Sequence, residues 1–383
     1  MTITILGGIL DNEINPISTD VTFLVWTAYY LAIIISGLFG SIFSNRIRRF
    51  TFIYFWIIIG AVVSPLAVLL NNFTLFNMIT ISILLGASLG LGMPSCLAYF
   101  AETTTVENRG KTGGIILLVT NLIGAVLATS LEMFDLNTTL IIFAVWRATA
   151  LIIFIFKEGE KQNVTKKRKK PSIKSVLQDK SFLLFFVAWL MFCLIDRFQT
   201  PIQKQFLGED YKSILIAGPI LGSIAALVGG IFADRIGRKR ILLYIFVAMG
   251  IAYAINGIVT IEVITYFLSL SVLSVSTGVM WVLFILVLWG DLAKFVNSEK
   301  YYAIGIIPFF LTDIMQRFSA DHFLNFSVTS AFSLAAFFLF LAVLPLWIAP
   351  ETLPEKKMEL RRLRNFADEA KRIREKFESK NIN

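Results

Sequence analysis

The chain has 383 residues, 56% of them hydrophobic and only 16% charged, with mean hydropathy +0.75 and formal net charge +9. A soluble domain carries about 25% charged residues, so an ordinary water-facing globular fold is excluded. Apolar residues come in blocks of about 20, the length a helix needs to cross a bilayer, which excludes the alternating ten-residue segments of a membrane barrel.

The start, MTITILGGILDNE, lacks the basic region and small-residue cleavage site of a signal peptide. It reads as the outer half of a first span whose inner half is missing. Apolar runs then predict spans at 21–43, 50–70 and 76–99. Between the first two lies a basic loop with Arg46, Arg48 and Arg49. In the third, Gly86 and Gly90 allow close helix approach, and Pro94 bends the helix. A loop carrying Glu102, Arg109 and Lys111 leads to spans at 113–131 and 138–156, the latter with Arg147 at its middle.

The segment 157–180 is the one long charged interruption, with nine basic residues. It separates a helix bundle over 1–156 from a second over 181–349 and is expected to touch anionic lipid. Spans follow at 181–201, 213–233, 241–259, 263–289, 301–317 and 327–348, which makes eleven. The first of these carries Cys193, Asp196, Arg197 and Gln199. The second carries Gly218, Pro219 and Gly222, another close-packing and bending pattern. Asp313 and Arg317 stand at i, i+4 spacing, which favours a pair on one helix. The single histidine, His322, is expected at the surface of the next loop, beside Asp321. In the tail over 350–383, Leu363, Phe366, Ala370, Ile373 and Phe377 line one face of an amphipathic helix. Such a helix lies on the inner leaflet, basic side chains at the anionic headgroups.

Of the 35 Lys and Arg, 30 fall in loops on one side or in the tail, which makes that side cytoplasmic, with the C-terminus inside a cell (plasma) membrane. Location in short loops also argues against nucleic acid as the partner of the net charge. Cys96 and Cys193 both lie in apolar spans, and no cluster has metal-ligand spacing, so neither metal nor cofactor is expected.

The chain contains a repeat. Residues 40–49, GSIFSNRIRR, match 229–238, GGIFADRIGR, at six of ten positions with an offset of 189. The same offset places Glu102 on Asp291 and Asn108 on Asn297. Parallel duplicated units flanking a midplane site are a transporter plan. The partner of span 181–201 would begin before Met1, so the start is read as internal to a longer gene or as a natural eleven-span form.

Gly230-x-x-x-Asp234-Arg235-x-Gly237-Arg238-Lys239 resembles the signature of the major facilitator superfamily between the second and third helices of a half. The first-half copy departs from it at Ser41, Asn45 and Arg48. Ala98 to Glu102, continuing through Glu107, Asn108 and Arg109 to Lys111, is similar to the loop after the fourth helix, notably in sugar-porter-like members. Pro350-Glu351-Thr352-Leu353 is similar to the close of such chains. The resemblance implies an all-α polytopic protein of two six-helix pseudo-repeats, here with about eleven spans and the first helix incomplete.

It further implies a cytoplasmic gate of Gly230, Asp234, Arg235, Gly237, Arg238, Glu102, Arg109 and Asp291. Asp234 would face the helix N-terminus near Gly113, whose dipole carries about half a positive charge. Arg235 and Arg238 would pair with Glu102 or Asp291. Cavity lining by the first, fourth, seventh and tenth helices would place Tyr99, Ser95, Asp196, Arg197, Gln199, Ser276, Thr277 and Trp281 near a substrate. Asp196 and Arg197 suit either substrate or ion contact or an outer-gate pair. Arg147, on a supporting helix, is weighed as a ligand but favoured as part of a buried structural pair.

The implied function is transport of a small organic solute by alternating access, driven by an ion or solute gradient, in a monomer. The alternative is a non-transporting sensor or scaffold of the same fold. An enzyme is not expected, because convergent catalytic groups are absent from the spans.

Overall fold

The structure, a computed structural model, describes residues 19–44, 47, 49–66, 74–131, 134, 136–156, 172–208, 211–258, 263–293, 298–323, 327–353 and 363. The expectations for the N-terminal segment, for Asn45, Arg46 and Arg48, for Lys294 and Asn297, for most of the linker, for the amphipathic tail beyond Leu363, and for the side chains of Asp321 and His322 lie outside the described residues.

Every regular element among the described residues is helical. The order is α1 (Thr19–Phe43), α2 (Arg49–Leu66), α3 (Leu75–Gly90), α4 (Met93–Thr103), α5 (Arg109–Leu131) and α6 (Leu136–Phe156). A short α7 (Ile173–Leu177) leads into α8 (Lys180–Leu207), α9 (Tyr211–Ile236), α10 (Arg238–Ile258) and α11 (Val263–Trp281). Helix α11 continues through a π-helical turn at Val282–Val287 into α12 (Leu288–Leu292), followed by α13 (Glu299–Gly305), α14 (Ile307–Phe323) and α15 (Val328–Ile348). Eight helical stretches among the described residues are long and apolar enough to cross a membrane. Helices α5, α6 and α14 fill the remaining predicted positions. Of these, α5 opens on Arg109 and Lys111, and α14 is short and carries Asp313 and Arg317.

Local chemistry accounts for the breaks. Pro94 has no N–H to give the carbonyl four residues back, and the helix parts at Leu91–Gly92 just before it. Pro308 stands in the same relation to the break at Ile306 between α13 and α14. Thr74, Ser172, Asp179 and Ser327 cap α3, α7, α8 and α15 by accepting from backbone N–H groups of the first turn. The π-helical turn was not legible in the sequence, because its residues, VLFILV, are ordinary apolar helix formers.

The packing repeats as the sequence does. Helix α1 lies on α3 as α9 lies on α11, and α2 lies on α6 as α10 lies on α15. Each pairing maps onto the other at the offset of 189. Between the helices before the linker and those after it, the principal contacts are α5 with α9 and α1 with α14. In lipid there is no strong hydrophobic drive between apolar helices, so close backbone approach carries the packing. At the α5–α9 crossing a Cβ on Gly230 would run into the Gly110 carbonyl, and one on Gly110 would run into the Gly230 carbonyl. Gly86 and Gly90 likewise meet the carbonyls of Tyr29 and Ile33 on α1. Gly218 has more room, its nearest neighbour being Ser274 Oγ at 3.3 Å.

Gly230→Ala is therefore expected to lower thermal stability in detergent by about 1–3 kcal/mol, the usual cost of overpacking. Gly218→Ala should cost well under half of that. Equal effects of the two would contradict the backbone contact at Gly230.

Candidate functional site

The first constellation lies at the basic ends of the helices. Asp234, at the end of α9, accepts from the backbone N–H of Gly110 at 2.9 Å through Oδ1 and from that of Lys111 at 2.7 Å through Oδ2. It thus caps the N-terminus of α5, where unpaired N–H groups and the helix dipole favour an anion. The contact falls one turn earlier than the expected Gly113, because α5 begins at Arg109. The next helix start is treated the same way. Glu351 accepts from the N–H of Arg238 at 2.9 Å and of Lys239 at 3.2 Å, capping α10. Between α9 and α10, Gly237 takes φ 121°, and a Cβ there would run into the Glu351 carboxylate, so both backbone and space demand glycine.

The charges form a connected set. Fully buried Arg109 and Arg238 both reach Asp291, whose side chain is also buried. Arg238 further pairs with Asp234 at 2.8 Å and donates to the Val106 carbonyl at 2.6 Å. Arg109 donates to the Ala101 carbonyl. On the other flank, Arg49 pairs with Glu102 and with buried Glu299. Arg49 and Glu102 sit 189 residues before Arg238 and Asp291, so one ion pair occurs twice, once in each repeat. The structure thus brings together seven of the eight residues expected at this end. Arg235 is the exception: it is exposed and has no ion pair among the described residues, because the helix turn that buries Asp234 and Arg238 points it outward. Arg49, Glu299 and Glu351 join the set beyond the expectation. The repeat carried a signal for Arg49, its counterpart being Arg238, whereas Glu299 has glycine at the corresponding position.

The second constellation lies within the membrane. Arg197 Nε is 3.2 Å from Asp313 Oδ1, without the alignment of a hydrogen bond, and the guanidinium lies over the Phe309 ring at 4.6 Å. Phe309 meets Trp281 edge to face at 5.5 Å. Asp313 therefore reaches α8, where a pair within its own helix was expected, and Arg317 lies 4.0 Å over Trp26 of α1. The orientation of α14 against α1 and α8 sets this, and i, i+4 spacing does not report it. Asp196 is partly exposed, and its carboxylate makes no hydrogen bond or ion pair among the described residues. It shares a face of α8 with buried Trp189 and Phe192. Trp189 stacks on Phe284 at 4.8 Å.

Gln199, Tyr99 and Arg147 have the following neighbours. Gln199 is buried and donates to the Ala331 carbonyl of α15 at 2.9 Å, so it ties α8 to its neighbour. Tyr99 stands beside Phe50 at the basic end, ring centroids 5.4 Å apart. Arg147 crosses above Gly60 and donates to Ser88 Oγ at 3.1 Å and to the Ser88 carbonyl at 2.9 Å. Its expected acidic partner is replaced by a serine and a carbonyl, reachable only because Gly60 lacks a side chain. Helix membership leaves open which face a residue occupies, so it did not give these neighbours for Gln199 or Tyr99, while Arg147 is held by part-buried structural contacts, as favoured. Among the described residues no group of three or more His, Cys, Asp or Glu suits a metal ion.

A family model described as Major Facilitator Superfamily matches residues 1–298. The chain belongs to that superfamily. No curated protein matches it. Among solved structures, the human organic anion transporter MFSD10 (TETRAN) is similar at TM-score 0.63 and 13% identity, over 90% of this chain and 89% of that one. The proton:xylose symporter XylE, bound to 6-bromo-6-deoxy-D-glucose, is similar at TM-score 0.65 and 16% identity, over 92% of each chain. At such identities the likeness establishes the fold. The superfamily fold and its transporter neighbours support membrane transport, and the protein is a multi-pass membrane protein.

Removing one partner of a buried ion pair costs about 3–5 kcal/mol, against about 0–1 for an exposed pair. Asp291→Ala should therefore lower thermal stability in detergent far more than Glu102→Ala, whose side chain is 29% exposed. A smaller loss for Asp291→Ala would show that the two arginines find water when the carboxylate is gone.

Proposed function

We propose that the protein moves a small organic solute across the plasma membrane by alternating access, with the energy drawn from an ion or solute gradient. The observation that carries this reading is the set of charged contacts joining the helices before residue 157 to those after 180 at the basic end. Asp234 on the α5 N-terminus, Arg109 on Asp291, Arg238 on the Val106 carbonyl and Arg49 on Glu299 all cross that division. They lie at helix ends beside the loops, where water can replace each partner as two bundles rock apart. A permanently closed scaffold has no need of ionic contacts concentrated at one end of an interface.

On this reading, with the basic side cytoplasmic, these contacts hold the chain closed towards the cytoplasm. Opening requires Asp234 to leave two N–H donors, each charge-assisted bond being worth about 1.5–3 kcal/mol. Arg109 must also leave Asp291. The ionic cluster of Asp196, Arg197 and Asp313 stands farther out along the same bundle and serves as the solute or ion site. Ionisable groups inside spans are expensive, at about 2.5–3.5 kcal/mol by insertion scales, so retained ones favour function.

Radiolabelled solute uptake and efflux in proteoliposomes, with and without an imposed pH gradient, test the reading. Gradient-dependent accumulation is expected, and silence from a folded protein would favour a sensor or scaffold. Asp234→Asn should shift the population towards the open cytoplasmic side by about tenfold or more, since each 1.4 kcal/mol is tenfold. Faster maleimide labelling of a cysteine replacing buried Ala101 would report it. Unchanged labelling together with unchanged transport would remove Asp234 from the gate.

A further inference from the structure

Two groups of opposite charge stand side by side in α8, and each lacks a hydrogen-bonding partner among the described residues. The Asp196 carboxylate makes no hydrogen bond or ion pair there. The terminal nitrogens of Arg197 make no hydrogen bond either, its contacts being the unaligned approach of Nε to Asp313 and the face of Phe309. Consecutive residues on a helix diverge by about 100° and do not face one another, so the two cannot neutralise each other directly. Arg197 is 22% exposed at its side chain and Asp196 is partly exposed, so a solute entering the bundle can touch both. Trp281, against the Phe309 ring that supports the guanidinium, has a buried indole Nε1–H without a hydrogen-bond partner.

We infer that this is a two-pole site for a small zwitterionic solute with amine and carboxylate close together, as in an amino acid. The carboxylate lies on the Arg197 terminal nitrogens, whose planar fork matches it. The ammonium lies on Asp196, and the solute's apolar part packs against Phe309 and Trp281. This rests on the transport reading and names its substrate class. Charge economy favours that class over the others. A simple organic anion takes the terminal nitrogens of Arg197, whose charge already faces Asp313 at 3.2 Å, and leaves Asp196 unmatched, whereas a simple cation matches Asp196 and leaves those nitrogens without an acceptor. A sugar bonds to both and neutralises neither. A zwitterion matches both poles and adds no net charge to a low-dielectric site.

The test uses the full chain in lipid nanodiscs, with binding read by tryptophan fluorescence, and the same chain in proteoliposomes for uptake. The probes are L-alanine, L-leucine and L-phenylalanine, with propionate, ethylamine and xylose as single-charge and neutral comparisons. An amino acid is expected to bind at least tenfold more tightly than propionate, ethylamine or xylose. Asp196→Asn should weaken amino-acid binding tenfold or more and leave propionate unchanged, whereas Arg197→Gln should weaken both. Comparable or tighter binding of xylose or propionate by the wild-type chain would overturn the inference, as would full amino-acid affinity in Asp196→Asn. Because the wild-type comparison stands alone, it decides even where a variant misfolds. Xylose uptake without amino-acid binding sinks the substrate class and leaves the transport reading intact. Amino-acid binding with no uptake of any probe does the opposite, and a folded wild-type chain that binds no amino acid overturns the inference.

Discussion

Helices α5 and α10 both begin against a carboxylate supplied from elsewhere in the chain, Asp234 for the one and Glu351 for the other. A helix start near the membrane surface has N–H groups without intrahelical partners and a positive dipole end. Leaving them unmatched is costly wherever water is scarce. Asp234 thereby anchors a helix before the linker to one after it, whereas Glu351 ties α10 to the segment that follows its own packing partner α15. Arg109, Arg238 and Asp291 build on those anchors, and their full burial makes sense only while the anchors hold.

The distribution of charge divides the structure into two working levels. At the basic end, ion pairs join helix ends and lie beside loops, where hydration is always near. Within the membrane the charges are few, and aromatic rings surround them: Phe309 beneath Arg197, Trp26 beneath Arg317. A cation over an aromatic face keeps part of its solvation in a place where water is displaced. The first level suits contacts that break and re-form, and the second suits groups held ready for a partner that enters.

Strict repetition in the packing contrasts with asymmetry in the charges. The pairs Arg49–Glu102 and Arg238–Asp291 repeat at one offset. Yet the anion facing the α5 start stands in the last turn of α9, whereas on the opposite flank Glu299 opens helix α13 and Arg49 comes to it. On both flanks the carboxylate comes from the helices after the linker and the donor from those before it.

Although 301–317 read as one span and its break before Pro308 went unread, hydropathy, the proline at 94 and the repeat made the helical fold, a bend near Pro94 and the existence of a charged end legible from the chain alone. These depend on local chemistry: a proline removes an N–H wherever it stands, and a block of about 20 apolar residues is a span in any order. Gly237 belongs here too, since a short reversal between helices asks for a backbone only glycine adopts easily. Partners were a matter for the tertiary structure. Whether Gln199 faced a solute or α15, whether Asp313 met Arg317 or Arg197, and whether Arg147 found an acid or Ser88 depended on helix rotation and on distances of a few ångströms. The π-helical turn after Trp281 re-aims one helix without any sequence mark, and only packing against neighbouring helices decides such rotations.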